Sequence, residues 1–251
     1  MLPPHSIDLN CDLGEGALHD EELMPLVSSA NIACGAHAGD EATMRQAVRL
    51  ALAWGVAIGA HPGFADREHF GRREWPATPE EVRLLVLDQT RRLQAVAAES
   101  GARVVHLKPH GALYNMAARE PLLAAAIAEA AREADPGLRV VGLSGSESLP
   151  AAGQLGLPVA HEVFADRTYQ RDGSLTPRSR PGALIEDPDA AVAQVLRLVR
   201  EGKVRATDGV DVEVRADTVC LHGDEPQAVA FAQRLRRDLA AAGILIQRLD
   251  R

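Results

Sequence analysis

The sequence predicts an α/β chain folded as a closed or nearly closed (β/α) barrel with about seven parallel strands. Three observations lead there. Short apolar segments alternate with helical patterns, which argues for a parallel sheet with helices outside. About seven such units favour a closed barrel over an open doubly wound sheet. Four of the apolar runs lead into a histidine with glycine close by, three of them through a small residue or proline. They are Ala33–Gly39 (ACGAHAG), Ile58–Gly63 (IGAHPG), Leu107–Gly111 (LKPHG) and Val219–Gly223 (VCLHG). In repeated β–α units the C-terminal strand ends converge on one face, where active sites are built. A recurring polar strand end therefore points to an enzyme.

The expected strands, in order, are Ile7–Asn10, Asn31–Cys34, Val56–Ala60, Val104–Lys108, Arg139–Leu143, Val159–Phe164 and Thr218–Leu221. The expected helices are Glu41–Trp54, Pro79–Ser100, Glu120–Glu133, Ser146–Leu155, Pro188–Arg200 and Pro226–Ala242. Thr78-Pro79-Glu80-Glu81 combines an N-cap, proline at the first helical position and a capping-box glutamate. Val82, Leu85, Val86, Leu93 and Val96 then recur on one helical face. Asp40 and Asp224 stand where N-caps belong, and Gly101 and Gly243 where helices stop. Val204–Arg215 reads as a small hairpin turning at Thr207-Asp208-Gly209. Two polar loops, 65–76 and 166–181, interrupt the rhythm and suit lids. With no linker or composition shift, residues 1–251 are read as one domain.

Bulk composition bounds the function. A chain of 251 residues with 46% hydrophobic residues can bury a large core, and with 3% aromatics that core is mostly aliphatic. Lys+Arg 27 against Asp+Glu 35 gives a net charge of -8. No basic patch is visible, so nucleic acid is not the expected partner. Cys11, Cys34 and Cys220 lie far apart without CxxC spacing, as expected of reduced buried thiols in a cytoplasmic protein. Neither a signal peptide nor an apolar run long enough to cross a bilayer is seen.

Strand alternation puts Asp8, Asn10 and Asp12 on one face, with Leu9 and Cys11 on the other. The carboxylates suit general-base or metal-ligand roles. The competing reading has Asp12 and Glu15 capping the following turn. His37, His61, His110 and His222 occupy the same place in successive units. Singly each suits a structural histidine; jointly they suit a pocket that moves protons or binds a metal. A metal would need two or three of them with a carboxylate such as Asp8 or Asp12, and no HxH or HxxxH spacing makes that specific. His106 alternates with Lys108 and is expected to face inward. Lys108 suits an anion or a developing oxyanion, or a salt bridge to Asp8 or Asp12. Arg72 and Arg73 suit a bidentate anion clamp or a solvated loop, and Asp166, Arg167 and Tyr169 have similar standing. No GxxxxGK[ST] or GxGxxG loop is present, and Leu143–Glu147 is not a GxSxG elbow.

Ordered blocks along nearly the whole chain resemble the LamB/YcsF family. They are DLNCDLGE at 8–15, ANIACGAHAGD at 30–40, GAHPGFAD at 59–66, FGRR at 70–73, KPHGALYN at 108–115, EVFADRTY at 162–169 and CLHGD at 220–224. Ala36 departs from the phenylalanine common there, which bears on pocket shape. The resemblance implies a TIM-like barrel similar to the glycoside hydrolase/deacetylase type. It implies the A subunit of a bacterial 5-oxoprolinase that cleaves 5-oxo-L-proline to L-glutamate with ATP hydrolysis, together with partner subunits B and C. ATP is then a co-substrate bound with those partners, and a divalent metal stays open. In this reading the partners help to activate the lactam and this chain hydrolyses it. The expected catalytic residues are Asp12, His61, His110 and Lys108. The expected substrate-binding residues are Asp8, Asn10, Glu15, His37, Arg72, Arg73, Asn115 and His222. Asp8, Asp12, His37, His61 and His110 are the candidate metal ligands. The alternatives are a stand-alone metal-dependent deacetylase or amidohydrolase, and a non-catalytic substrate-binding subunit.

Overall fold

Seven apolar runs do become the seven staves of a closed parallel barrel. The structure is a computed structural model that describes residues 6–17, 19–222 and 227–250. Its first half runs β1 (Ser6–Leu13), α1 (Asp20–Leu23) with a 3-10 turn (Met24–Leu26), β2 (Ser29–Ala33), α2 (Glu41–Trp54), β3 (Ala57–His61), α3 (Pro79–Glu99), β4 (Val104–Leu107), α4 (Gly111–Arg119) and α5 (Pro121–Ala134). It continues with β5 (Arg139–Leu143), α6 (Ser148–Gln154), β6 (Val159–Phe164), α7 (Pro188–Glu201), β7 (Lys203–Arg205), β8 (Asp211–Glu213), β9 (Thr218–Leu221), α8 (Ala228–Ala241) and β10 (Leu245–Ile246). Strands β1 to β6 pair in order, β6 pairs with β9, and β9 returns to β1. β10 pairs with the start of β1, and β7 and β8 form the expected antiparallel hairpin beside the barrel.

Local chemistry explains the element ends. Asp40 and Thr43 form a capping box that starts α2, and Thr78 and Glu81 form another at α3. Gly101 and Gly243 take left-handed φ of 70° and 74° just past helix ends. Three expectations are corrected. β1 runs on to Leu13, because its polar side chains find partners inside the barrel and need no loop. The KPHGALYN block contains helix α4, which starts straight after His110. A tenth strand, β10, is too short to leave a pattern. His5, Gly223, Asp224 and the expected helix start at Pro226 lie outside the described residues. Among the described residues no helix is long and apolar enough to cross a membrane.

The aliphatic core lies between the strands and the helices. Leu9, Cys11 and Leu13 of β1 point outward into it, against residues such as Val48, Ala51 and Leu239. A second cluster joins Val86 of α3, Leu113 of α4, Ile127 of α5 and Val140 of β5. Each such side chain contributes roughly 1.5–3 kcal/mol by leaving water. That burial offsets the cost of a barrel interior lined by Asp8, Asn10, Asn31, His106, Lys108 and Glu162, all buried. Barrels of this class usually fill the same space with branched aliphatics. Gly59 makes the interior fit: a Cβ there would overlap the His106 ring.

Candidate active site at the C-terminal strand ends

The interior rises in polar layers. At the base, Asp8 accepts hydrogen bonds from Ser28 Oγ (2.7 Å), Ser29 Oγ (2.6 Å) and Thr218 Oγ1 (2.5 Å). Asn10 donates to Glu162 Oε1 (3.0 Å) and Thr218 Oγ1 (2.7 Å). Asn31 donates to Asn10 Oδ1 and Asp12 Oδ1, each at 2.8 Å, and makes a 2.8 Å contact from Oδ1 to His106 Nε2. The Lys108 ammonium ends among these groups, 2.8 Å from Glu162 Oε1, 3.0 Å from Asp12 Oδ1 and 3.1 Å from Cys220 Sγ.

Above this network four strand-end and loop side chains meet. His61 donates Nδ1–H to the Lys108 carbonyl (2.7 Å), which leaves Nε2 facing Asp12 Oδ2 at 3.2 Å. His110 donates Nε2–H to the Phe70 carbonyl (2.8 Å) and turns Nδ1 to within 2.9 Å of His61 Nε2. With both outer nitrogens donating, two bare lone pairs would face each other, so a proton or a cation has to sit between them. Glu15 Oε1 reaches the same point, 3.2 Å from His110 Nδ1 and 3.2 Å from His37 Nε2. His37 stacks on His110 with ring centroids 3.8 Å apart. The ligand atoms of Glu15, His37, His61 and His110 lie within 4.8 Å of one another. Phe70 adopts φ 55°, a left-handed conformation that costs a side-chain-bearing residue roughly 1–2 kcal/mol. That turn aims its carbonyl at His110.

Electrostatics sort the carboxylates. Burial works against the Asp12 anion, but His61 and Lys108 together outweigh it and hold the carboxyl well below its usual range. Burial also opposes the Glu15 anion, yet hydrogen bonds from His110 and His37 bring that carboxyl down to about 2. Burial pushes His37 down to about 4 and His106 down to about 3. His61 is raised, because Asp12 more than repays its burial. Lys108 is raised well above its usual value: burial disfavours the ammonium, while Asp12, Cys220 and Glu162 favour it. Cys11, Cys34 and Cys220 are free and buried, and burial holds each thiol protonated.

Asp8 behaves differently. Burial pushes its carboxyl up to about 6 despite three hydroxyl donors. A raised carboxyl contributes stability that is full below the unfolded value near 4 and is lost as pH rises through about 6. Asp8→Asn is expected to remove this dependence. The stability difference between wild type and variant should shift by about 2 kcal/mol between pH 4 and pH 7. Urea unfolding of both proteins at the two pH values checks it; a difference that stays constant would show that Asp8 does not titrate.

A cavity of about 770 Å³ opens onto the C-terminal strand ends. Of the sequence-derived candidates, Asp12, Glu15, His61, Lys108, His110, Arg72, Asn115 and His222 line it. His37 is buried behind His110. Asp8 and Asn10 lie in the layers beneath, where they hold hydroxyls, Glu162 and Lys108. Asp8 is therefore outside the possible metal cluster, whose carboxylate is Glu15. Arg73 is exposed and does not line the cavity, whereas Arg72 does, with its guanidinium 4.9 Å from the Phe70 ring centroid. His222 pairs with Asp166 at 2.6 Å and stacks on Phe164. Sequence reasoning did not single out Glu162, Asn31 or Phe70. A charged residue inside the apolar run Val159–Phe164 was the available signal for Glu162.

The chain resembles known proteins in sequence and in fold. The model of the LamB/YcsF family matches residues 7–251. The chain is 53% identical over 246 residues to a protein of Brevibacillus brevis named as the A subunit of 5-oxoprolinase, covering 96% of this chain and 97% of that protein. It is 48% identical to the crystal structure of "Lactam Utilization Protein" from Thermus thermophilus, with a TM-score of 0.91 over 97% of this chain and all of that one. A structure described as "T48 deacetylase with substrate" shares the fold at 16% identity and a TM-score of 0.52, over 98% of this chain and 89% of that one. The match of the family model over nearly the whole length, together with the two close relatives, places this chain in the LamB/YcsF family.

Proposed function

We propose that this chain is the A subunit of an ATP-dependent 5-oxoprolinase, which opens 5-oxo-L-proline to L-glutamate as ATP is cleaved to ADP and phosphate. The observation that carries the reading is the 53% identity, across 96% of the chain, to a protein named as that subunit. The site supports it. A lactam is a resonance-stabilised amide, so opening it needs an activated carbonyl, a base for water and an acid for the departing nitrogen. Asp12, ionised and in the cavity wall, takes the proton from water, and His61 beside it is placed to pass that proton on. His110 presents Nδ1 to the same point and delivers a proton to the ring nitrogen. Lys108 holds Asp12 and Glu162 in place from below. ATP is handled with partner subunits B and C in this reading, and the assembly works in the cytoplasm, with residues 1–251 as one catalytic domain.

The quartet of Glu15, His37, His61 and His110 also fits a divalent metal. Three nitrogens and one carboxylate are a zinc-type donor set, and two of the histidines already have their outer N–H groups fixed by backbone carbonyls. Such an ion would supply Lewis-acid polarisation or a more acidic water. This cluster also favours a second reading, a stand-alone metal-dependent amidohydrolase.

The deciding experiment measures glutamate release and 5-oxoproline-dependent ATP hydrolysis, with this chain alone and with subunits B and C. Turnover only in the full mixture is expected. ATP-independent, chelator-sensitive turnover by the chain alone would replace the first reading with the second. Silence in every mixture would reject both.

A further inference from the structure

Strand register lines up one layer across the barrel interior. Asp12 of β1 stands beside Asn31 of β2, Asn31 beside Gly59 of β3, and Gly59 beside His106 of β4. His106 is therefore two strands away from Asn31, yet its Nε2 is 2.8 Å from Asn31 Oδ1. Gly59 makes the reach possible. A Cβ on that residue would stand 2.0 Å from His106 Nε2. Gly59 is not among the glycines of positive φ, so backbone conformation does not call for a glycine here. The missing side chain is a passage for the imidazole across β3.

The hydrogen bonds along this layer run in one direction. Asp12 Oδ1 is a carboxylate oxygen and only accepts. Asn10 spends its amide N–H groups on Glu162 Oε1 and Thr218 Oγ1, so its Oδ1 accepts as well. Both acceptors require the NH₂ group of Asn31, which donates to each at 2.8 Å. Asn31 is left with Oδ1 for His106, so the imidazole holds its proton on Nε2. Its Nδ1 is then a bare nitrogen, and it is buried with no partner. A buried acceptor is easier to leave unpaired than a buried N–H. Burial also keeps the ring neutral.

The consequence falls on Asp12. Its Oδ1 is taken by Asn31 at 2.8 Å and by Lys108 at 3.0 Å. Its Oδ2 is left facing His61 at 3.2 Å, as the oxygen free to act on water at the cavity wall. An Asn31 amide turned the other way would set its oxygen against the oxygens of Asp12 and Asn10, three acceptors with no proton among them.

We propose that Asn31 and His106 are positioning residues for Asp12. The Nε2–H of His106, reaching through the gap at Gly59, fixes which way the Asn31 amide faces, and Asn31 holds Asp12 with Oδ2 toward the cavity. The proposal rests on Asp12 acting as the base in the lactam-opening reaction. Asn31 and His106 are both fully buried and neither lines the cavity, so they act through Asp12 and not on the substrate.

Two measurements test it. NMR of the ring nitrogens, in the full chain with isotope-labelled histidine, is expected to show His106 as the neutral Nε2–H tautomer. Its signal is assigned by its loss in His106→Gln. An Nδ1–H tautomer overturns the proposal. This arm is read on wild type and needs no turnover, so it stands apart from the 5-oxoprolinase reading, which the mixing experiment decides. The second arm is steady-state turnover in the mixture with subunits B and C. Asn31→Ala is expected to lower kcat about 10–100-fold with KM within about twofold. His106→Phe fills the space but cannot donate, and is expected to lower kcat about tenfold. His106→Gln can donate from its amide nitrogen and is expected to recover most of that loss. Adding His106→Phe to Asn31→Ala is expected to cost nothing further, because one residue acts through the other. Unchanged kcat in Asn31→Ala, additive losses in the double variant, or glutamine no better than phenylalanine at position 106 would each overturn the proposal.

Discussion

Lys108→Met is expected to lower stability by about 3–5 kcal/mol and glutamate formation by about 10²–10³-fold. The ammonium is 2% exposed and stands between Asp12 and Glu162, with Asn10 Oδ1 at 3.3 Å and Cys220 Sγ at 3.1 Å. Methionine matches the aliphatic stem but leaves the buried Glu162 and the partly buried Asp12 without the cation that pairs with both. Such a site neutralises one of them by taking up a proton. Because Lys108 is one of the cationic neighbours that hold Asp12 ionised, its loss also weakens the base proposed to act on water. Urea unfolding reads the first effect, and glutamate release by the mixture with subunits B and C reads the second. The Lys108→Met/Glu162→Gln double variant removes one of the stranded charges and is expected to recover part of the stability but not the activity. Wild-type stability in the single variant would show that the carboxylates are solvated and that this buried network is not closed.

His110→Ala is expected to reduce kcat by about 10²–10⁴-fold with a smaller change in KM. The ring is held by the Phe70 carbonyl, stacked on His37, and turned to Glu15 and His61, so truncation removes a proton carrier and one member of the donor quartet. Turnover assays of the assembled enzyme check it, and unchanged turnover would remove His110 from the chemistry. Elemental analysis of the same variant reads the metal question independently, since a site that binds a divalent ion should lose occupancy with one ligand gone.

What the sequence by itself determined is what local physics encodes. Helix Glu41–Trp54 was legible to the residue, because Asp40 caps its start and its apolar face repeats within a few turns. Strands Arg139–Leu143, Val159–Phe164 and Thr218–Leu221 were legible as apolar runs bounded by turn residues. Strand alternation placed Asp8, Asn10 and Asp12 on one face, and the recurring histidine at strand ends placed His61 and His110 at one rim. Tertiary structure alone decided which of these residues meet. It put Asp8 under three hydroxyls at the base, joined Glu15 to three histidines, and set Glu162 against Asn10 from 152 positions away. It also chose Arg72 over its neighbour Arg73 for the cavity wall. Periodicity states the face on which a side chain lies. The partner opposite it is set by the register of each strand against the next around the closed barrel, a long-range property that no local window of sequence contains.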